Sequence, residues 1–433
     1  MHMKRKLLIV SIIIFTGCAS FNFYKKIDTA ILSGNYTEAD QIIEQEKKSY
    51  AGEHELLYYF DKGMILHMLG DYDASTEYLN NAELKIESLY TKSITKEVSS
   101  YFTNDMSLPY EGEDFEQVMV NIIKCLNFMY KGDFDGALIE ARKVDHRLNL
   151  LSDRYEGKNI YKEDAFARYL SAIAYEANGE MNDAFIAYKK ALKAYNNYQK
   201  LYGTSVPRSL KSELLRAADG IKFYDEIEEF EKEWGEKISF EKYNNFMQKG
   251  EVIFVIYDGM APYKVSKYVE FPVKEKDKVA YYVKVAFPKF VARENVISGA
   301  QITINGVSYN SYVTEDVNSI AIKTLENKNF LIEAKAIARA ITKYQMTRAV
   351  SNDGKNQLAQ LTANIINTAT EQADTRSWRT LPGRFHMLRI ALPPGKRELK
   401  LSLNSIRGGV KEQTFNVEIK AGKKKIIPVI SFN

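Results

Sequence analysis

The feature that most constrains how this chain folds is a turn that recurs through its first half. A glycine, a polar residue and then an aromatic residue or Met appear as Gly34-Asn35-Tyr36, Gly70-Asp71-Tyr72, Gly132-Asp133-Phe134 and Gly179-Glu180-Met181. Five residues after each glycine stands a small side chain: Ala39, Ser75, Ala137 and Ala184. In two copies a second alanine follows seven residues later, Ala82 and Ala191. Small residues at that spacing let the two helices of a hairpin approach closely. The first interval, from Gly34 to Gly70, fits a helix–turn–helix repeat of about 34 residues. The next two intervals are longer, so insertions interrupt the array.

The flanking segments agree. Residues 55–69, 115–131 and 164–178 carry apolar side chains at helical spacing. Gly63, Cys125 and Ala172 hold a small position seven residues before their turn glycines. Cys125 therefore reads as a small buried hydrophobe rather than a reactive thiol. The pattern resembles tetratricopeptide (TPR) repeats, which implies a TPR-like helical repeat domain over 18–240 with a concave groove for a peptide or helix.

One insertion, residues 91–113, breaks the helical rhythm with Ser, Asn, Pro and Gly before Asp114, the expected cap of the next helix. Such a loop is either a lid over the groove or an excursion docked on its own domain. Its aromatics Tyr101, Phe102 and Tyr110 suit ligand contact and docking alike.

Near residue 250 the period changes. Residues 251–257 form an apolar run ended by Asp258-Gly259, and 279–287 are rich in β-branched and aromatic residues up to Pro288. The segments 300–304 and 307–313 are joined by Asn305-Gly306, a strong hairpin signal. Two more hairpins are expected, 385–392 with 399–403 across Pro393-Pro394-Gly395, and 415–419 with 426–432 across Ala421-Gly422. The sequence thus predicts an α + β chain, with a β-sandwich-like C-terminal domain over 250–433. Within it, two apolar stripes over about 326–374 predict an inserted helical hairpin. Lys335, Arg339, Lys343 and Arg348 give its first helix a basic side, which suits either a membrane surface or packing on the sandwich.

The N-terminus carries Lys4, Arg5 and Lys6, a short apolar stretch to Phe15, and then Thr16-Gly17-Cys18. That is the layout of a signal peptide over 1–17. Because it ends in a cysteine, it resembles a bacterial lipoprotein signal, which implies a diacylglyceryl thioether and further acylation (palmitate-type chains) on Cys18 after cleavage. Several acyl chains give stable anchoring where one is marginal. Removing Lys4, Arg5 and Lys6 from a formal net charge of +4 leaves +1, so no electrostatic footprint for nucleic acid remains. With Cys18 acylated, Cys125 has no disulfide partner.

Three further segments sharpen the likeness: 258–264 (DGMAPYK), Ala286-Phe287-Pro288, and 373–382 (ADTRSWRTLP), together with 110–116 (YEGEDFE). With the lipoprotein signal and the repeats, the chain resembles a largely uncharacterised family of bacterial TPR lipoproteins. Members are often encoded near lipoproteins similar to activators of penicillin-binding proteins. The resemblance implies a role in the cell envelope and carries no catalytic residues with it. Ala19 after the cysteine implies, by analogy with enteric lipoproteins, the outer membrane, facing the periplasm.

Within 373–382, Asp374, Arg376 and Arg379 suit a carboxylate or phosphate, and Trp378 suits stacking on a sugar or peptide. The same residues equally suit a buried junction. The histidines, at 2, 54, 67, 146 and 386, lack metal-ligand spacing. No nucleophile elbow or phosphate-cradling glycine loop is present. The expectation is a non-enzymatic, cofactor-free scaffold that binds envelope proteins through the TPR groove and the β-domain. The alternatives are a regulator or enzyme of cell-wall metabolism, or a component of a secretion assembly.

Overall fold

The computed structural model describes residues 23–96, 106, 108–275, 278–329 and 373–432. The chain is α + β. Among the described residues the helices form five successive hairpins. They are α1 (Phe23–Leu32) with α2 (Tyr36–Gln45), α3 (Glu55–Leu69) with α4 (Tyr72–Lys96), and α5 (Asp114–Lys131) with α6 (Phe134–Arg154). The last two are α7 (Ala165–Asn178) with α8 (Met181–Tyr202), and α9 (Leu210–Gly220) with α10 (Tyr224–Trp234). In the first four turns the glycine adopts a φ of 75–80°. The residue after it donates back to a carbonyl: Asn35 to Ala30, Asp71 to Leu66, Asp133 to Phe128, Glu180 to Tyr175.

The fifth hairpin was not expected. Its turn makes the same bond, Phe223 N–H to the Ala218 carbonyl, with Lys222 at φ 61° in the glycine's place. A lysine holding the left-handed position hides this copy from a glycine-based reading. The small residues do what the repeat requires. Ala39, Ser75, Ala137 and Ala184 are fully buried. A Cβ on Gly63 would lie 2.7 Å from Leu79, and the Ser75 hydroxyl donates to the Gly63 carbonyl at 2.7 Å. Cys125 is buried, and burial pushes its thiol well above the usual range. The cap of α5 is Glu113, not Asp114: its N–H donates to the Glu116 carboxylate at 2.9 Å, a capping box that the Glu116 position favours.

After a short helix, α11 (Tyr243–Phe246), the strands begin. They are β1 (Gly250–Met260), β2 (Tyr263–Glu275), β3 (Lys278–Val291), β4 (Ile297–Ile304), β5 (Val307–Asn310), β6 (Tyr312–Asp316), β7 (Pro382–Leu392), β8 (Gly395–Ser405), β9 (Val410–Ile419) and β10 (Lys424–Ser431). A first sheet has the order β10-β1-β7-β6, with β10 parallel to β1, and a second has β5-β4-β8-β9. β2 and β3 form a separate ribbon, in which β3 runs through Pro288 instead of stopping there. A two-stranded ribbon leaves both outer edges unpaired, where a residue without an N–H is tolerated. A helix over 317–329, here α12, follows β6. The expected helical insertion beyond residue 329 lies outside the described residues.

The two four-stranded sheets face each other. Val252, Phe254 and Ile256 of β1 and Leu388, Ile390 and Leu392 of β7 meet Leu399, Leu401 and Leu403 of β8 in one core. The alternate residues Ile253, Val255, Tyr257, Phe385 and Met387 join the core of the helical hairpins. Helices, first sheet and second sheet are therefore three layers, and β1 is buried along its whole length. Its unbroken apolar run reflects burial on both faces.

Only the Asn305-Gly306 hairpin forms as expected, with both residues at positive φ. β7 and β8 do not pair with each other; Pro393-Pro394 carries the chain from the first sheet to the second. β9 and β10 are likewise split between the sheets. The cause lies in the inward leucines, which face one another across the sandwich instead of lying side by side. Two prolines without N–H groups suit a crossing better than a ladder.

Candidate functional site

The segment 373–381 runs between the helical hairpins and the sheet, and most of its polar groups are used internally. The Arg376 backbone N–H and Nε each donate to Asp374 Oδ1 at 2.9 Å, and its Nη2 donates to Oδ2 at 2.8 Å. Nη1 of the same residue donates to the carbonyls of Glu53 and Leu108. Trp378 is 1 % exposed and stacks on Phe60 at 4.2 Å. Its indole N–H donates to Thr380, whose hydroxyl donates to Asp61, which also accepts from Tyr24 and Tyr50. Arg379 donates to Asp28 at 2.6 Å and lies over the rings of Tyr24 and Tyr263.

Tyr110 is equally committed. Its N–H donates to the Glu53 carbonyl and its hydroxyl to Glu116, which also accepts the Trp378 N–H at 2.7 Å. Burial and the Glu113 charge push the Glu116 carboxyl up to about 7, and burial lifts Asp61 to about 6. Burial works the same way on Glu113, but Lys264 and Lys328 overcome it and hold that group at about 2. Asp374, Arg376, Trp378 and Tyr110 are thus tied into the junction rather than aimed at a partner. The Arg–Asp geometry that suits an anion is satisfied here within three residues. Tyr101, Phe102 and Cys18 lie outside the described residues.

Two further polar groups join the same layers. His67 bridges Asn127 and Tyr257 at 2.5 and 2.7 Å, and burial lowers it to about 4, so it sits there neutral. On β7, Arg389 reaches Glu176, Glu213 and Glu251 at 3.1, 3.0 and 2.8 Å. Arg216 and Lys424 complete the set on Glu176, each at 3.0 Å. Local spacing gave no signal for this group, which gathers residues from α7, α9, β1, β7 and β10. A charged residue inside each apolar strand, Glu251 in 250–260 and Arg389 in 382–392, is the one clue the sequence holds.

Together these contacts cover the face presented by α3, α5 and α7, the face that lines the groove in a helical repeat array. It is covered from within, by β1, β6, β7 and β10. Among the described residues a cleft of about 490 Å³ stays open beside the array, between the α6–α7 connection and α12. Arg154, Tyr155, Lys158, Asn159, Tyr161 and Lys328 form much of its wall. Asn159 is 7 % exposed with its side-chain oxygen unpartnered. Lys328 bonds Asp114 at 2.8 Å beneath the Tyr155 ring. Among the described residues no cluster of three or more metal-ligating side chains occurs, and no helix is long and apolar enough to cross a membrane. Comparison with protein-family models and with characterised proteins finds no match.

Proposed function

We propose that this chain is a lipid-tethered protein of the bacterial envelope that acts by binding a partner, not by catalysis. Cys18 supplies the tether, and the partner seats in the open cleft beside the array instead of the repeat groove. The observation that carries the reading is the division of surfaces: the groove-lining helices are covered by the chain's own sheet, while the cleft keeps about 490 Å³ open. Its wall of tyrosines, two amides, cations and the carboxylates of Asp114 and Glu156 suits a polar peptide segment that both donates and accepts.

Site-directed photocrosslinking in cells tests this. A crosslinking residue at Lys158, exposed at the cleft rim, is expected to trap one discrete envelope protein, and Cys18→Ser to abolish the adduct. The same residue at Ile139, exposed on α6 away from the cleft lining, is expected to trap none. Equal labelling from both positions, or none from either, overturns the reading.

A further inference from the structure

One pair of cations is left with more charge and more donors than its surroundings use. Arg379 in the 373–381 segment and Arg293 just after β3 converge on a single carboxylate, Asp28 of α1. Arg379 Nη2 meets Asp28 Oδ2 at 2.6 Å, and Arg293 Nη2 lies 3.4 Å from the same oxygen. The Arg293 Nη1 group is shared between Asp28 at 3.4 Å and the weak acceptor Met260 Sδ at 3.1 Å. Two donor nitrogens, Arg379 Nε and Arg293 Nη2, are buried with no hydrogen-bond acceptor among the described residues. Asp61, another acid that feels the Arg379 charge, is taken up by Tyr24, Tyr50 and Thr380.

Two guanidiniums against one carboxylate leave one positive charge in excess at a site only 15–23 % exposed. Buried donors without acceptors are destabilising, and more so when charged. The Tyr263 ring packs against both guanidinium planes and the Tyr24 ring against that of Arg379, which holds the forks in place. The other buried guanidiniums of the junction are matched: Arg376 by Asp374, and Arg216 and Arg389, together with Lys424, by three glutamates.

We propose that Arg293 and Arg379 form a binding site for a phosphate group. Guanidinium forks match a tetrahedral oxyanion, which can accept from both residues while Asp28 keeps its own bonds. Asp28 and both arginines are partly exposed, and Asp28 stands on α1, whose first residue, Phe23, is five residues beyond Cys18. Five residues span at most about 18 Å, so a tether at Cys18 keeps Asp28 and its arginines within reach of lipid headgroups. The phosphate is therefore that of a headgroup or a free phosphate at the membrane surface.

Calorimetric titration of the purified protein with inorganic phosphate, and cosedimentation with vesicles of phosphatidylglycerol in phosphatidylcholine, test the site. Arg379→Gln and Arg293→Gln are each expected to weaken binding by about tenfold or more. Arg407→Gln, an exposed arginine paired only with Glu294, is expected to leave it unchanged. Asp28→Asn removes the competing carboxylate and is expected to tighten binding several-fold, an outcome that misfolding cannot imitate. Phosphate binding with no added affinity for vesicles assigns the site to the free ion; vesicle binding without a phosphate response assigns it to headgroups. Binding that ignores both arginines and Asp28, or no binding to either probe, overturns the proposal.

Discussion

Two buried regions hold the helical hairpins to the first sheet, and they follow opposite rules. Around Arg389 every charge has a partner: Glu176, Glu213 and Glu251 stand against Arg216, Arg389 and Lys424. Around Glu315 no cation reaches its carboxylate among the described residues. A bulge in β6 after Val313 turns Thr314 and Glu315 inward, and both Glu315 oxygens lack a hydrogen-bond partner. Near it lie Asp164 and the tyrosines 161, 195, 198 and 202, with no cation bonded to either acid among the described residues. The first region is a charged lock. The second is a carboxyl whose ionisation the fold disfavours, since burial and the Asp164 and Asp316 charges push it well above its ordinary range.

The largest expected effect follows from breaking the lock. Arg389→Met leaves three buried glutamates with two cations, and uncompensated buried charge costs about 3–5 kcal/mol. Denaturant unfolding is expected to show that loss in a single transition, because Arg389 ties α7, α9 and β1 to β7. A separate early transition for the strands would mean that the two layers do not depend on the lock.

The two regions also predict opposite pH slopes. Burial raises Glu176 and Glu251, but Lys424, Arg216 and Arg389 overcome it for Glu176, and Arg389 and Lys424 for Glu251; both end below the ordinary range. Their stabilisation is present above the unfolded value of about 4.3 and is lost as pH falls through the depressed values. Glu213, which burial raises despite Arg389, opposes this in part. For Glu315 the sign is reversed: the neutral form stabilises fully below about 4.3, and the contribution is lost as pH rises through the raised value. Glu315→Gln therefore raises the melting temperature at pH 8 by about 2–4 °C and has little effect at pH 4. A variant that melts lower at pH 8 would show that Glu315 is ionised and paired in the native state.

The sequence made one of these layers legible and hid the other. Gly34, Gly70, Gly132 and Gly179 announced the hairpins because a left-handed turn residue has a local signature. Lys222 marks the limit of that signal, since the same turn forms without glycine. Strand existence could be read from composition, but partnership could not. β7–β8 and β9–β10 look like hairpins by distance along the chain, and only packing across the sandwich separates them. The 373–381 segment drew notice for residue types that suit an anion. Arg376 and Trp378 turned out to spend their bonds on Asp374, Glu53 and Glu116, whereas Arg379 meets Arg293, a residue that no motif connects to it. Long-range charge pairing leaves no periodicity, so nothing pointed to Glu315, and only its place in an apolar strand hinted at Arg389.

The smallest predicted difference is the sharpest probe of the comparison, because it uses the same chemical change in both regions. Tyr188 donates to Glu176 at 2.6 Å and accepts from Arg389 at 3.2 Å. Tyr188→Phe removes a donor from a buried carboxylate and an acceptor from a buried guanidinium, at a cost of about 1–3 kcal/mol. Tyr202 sits beside Glu315 with a buried hydroxyl that finds no partner among the described residues. Tyr202→Phe deletes an unsatisfied group at nearly constant volume, so stability should change by less than about 0.5 kcal/mol or rise slightly. The paired variants are best read by urea unfolding at constant pH. A loss for Tyr202→Phe as large as that for Tyr188→Phe would mean that the Tyr202 hydroxyl and Glu315 share ordered water. The acid-only region would then be a satisfied network like the lock it has been set against.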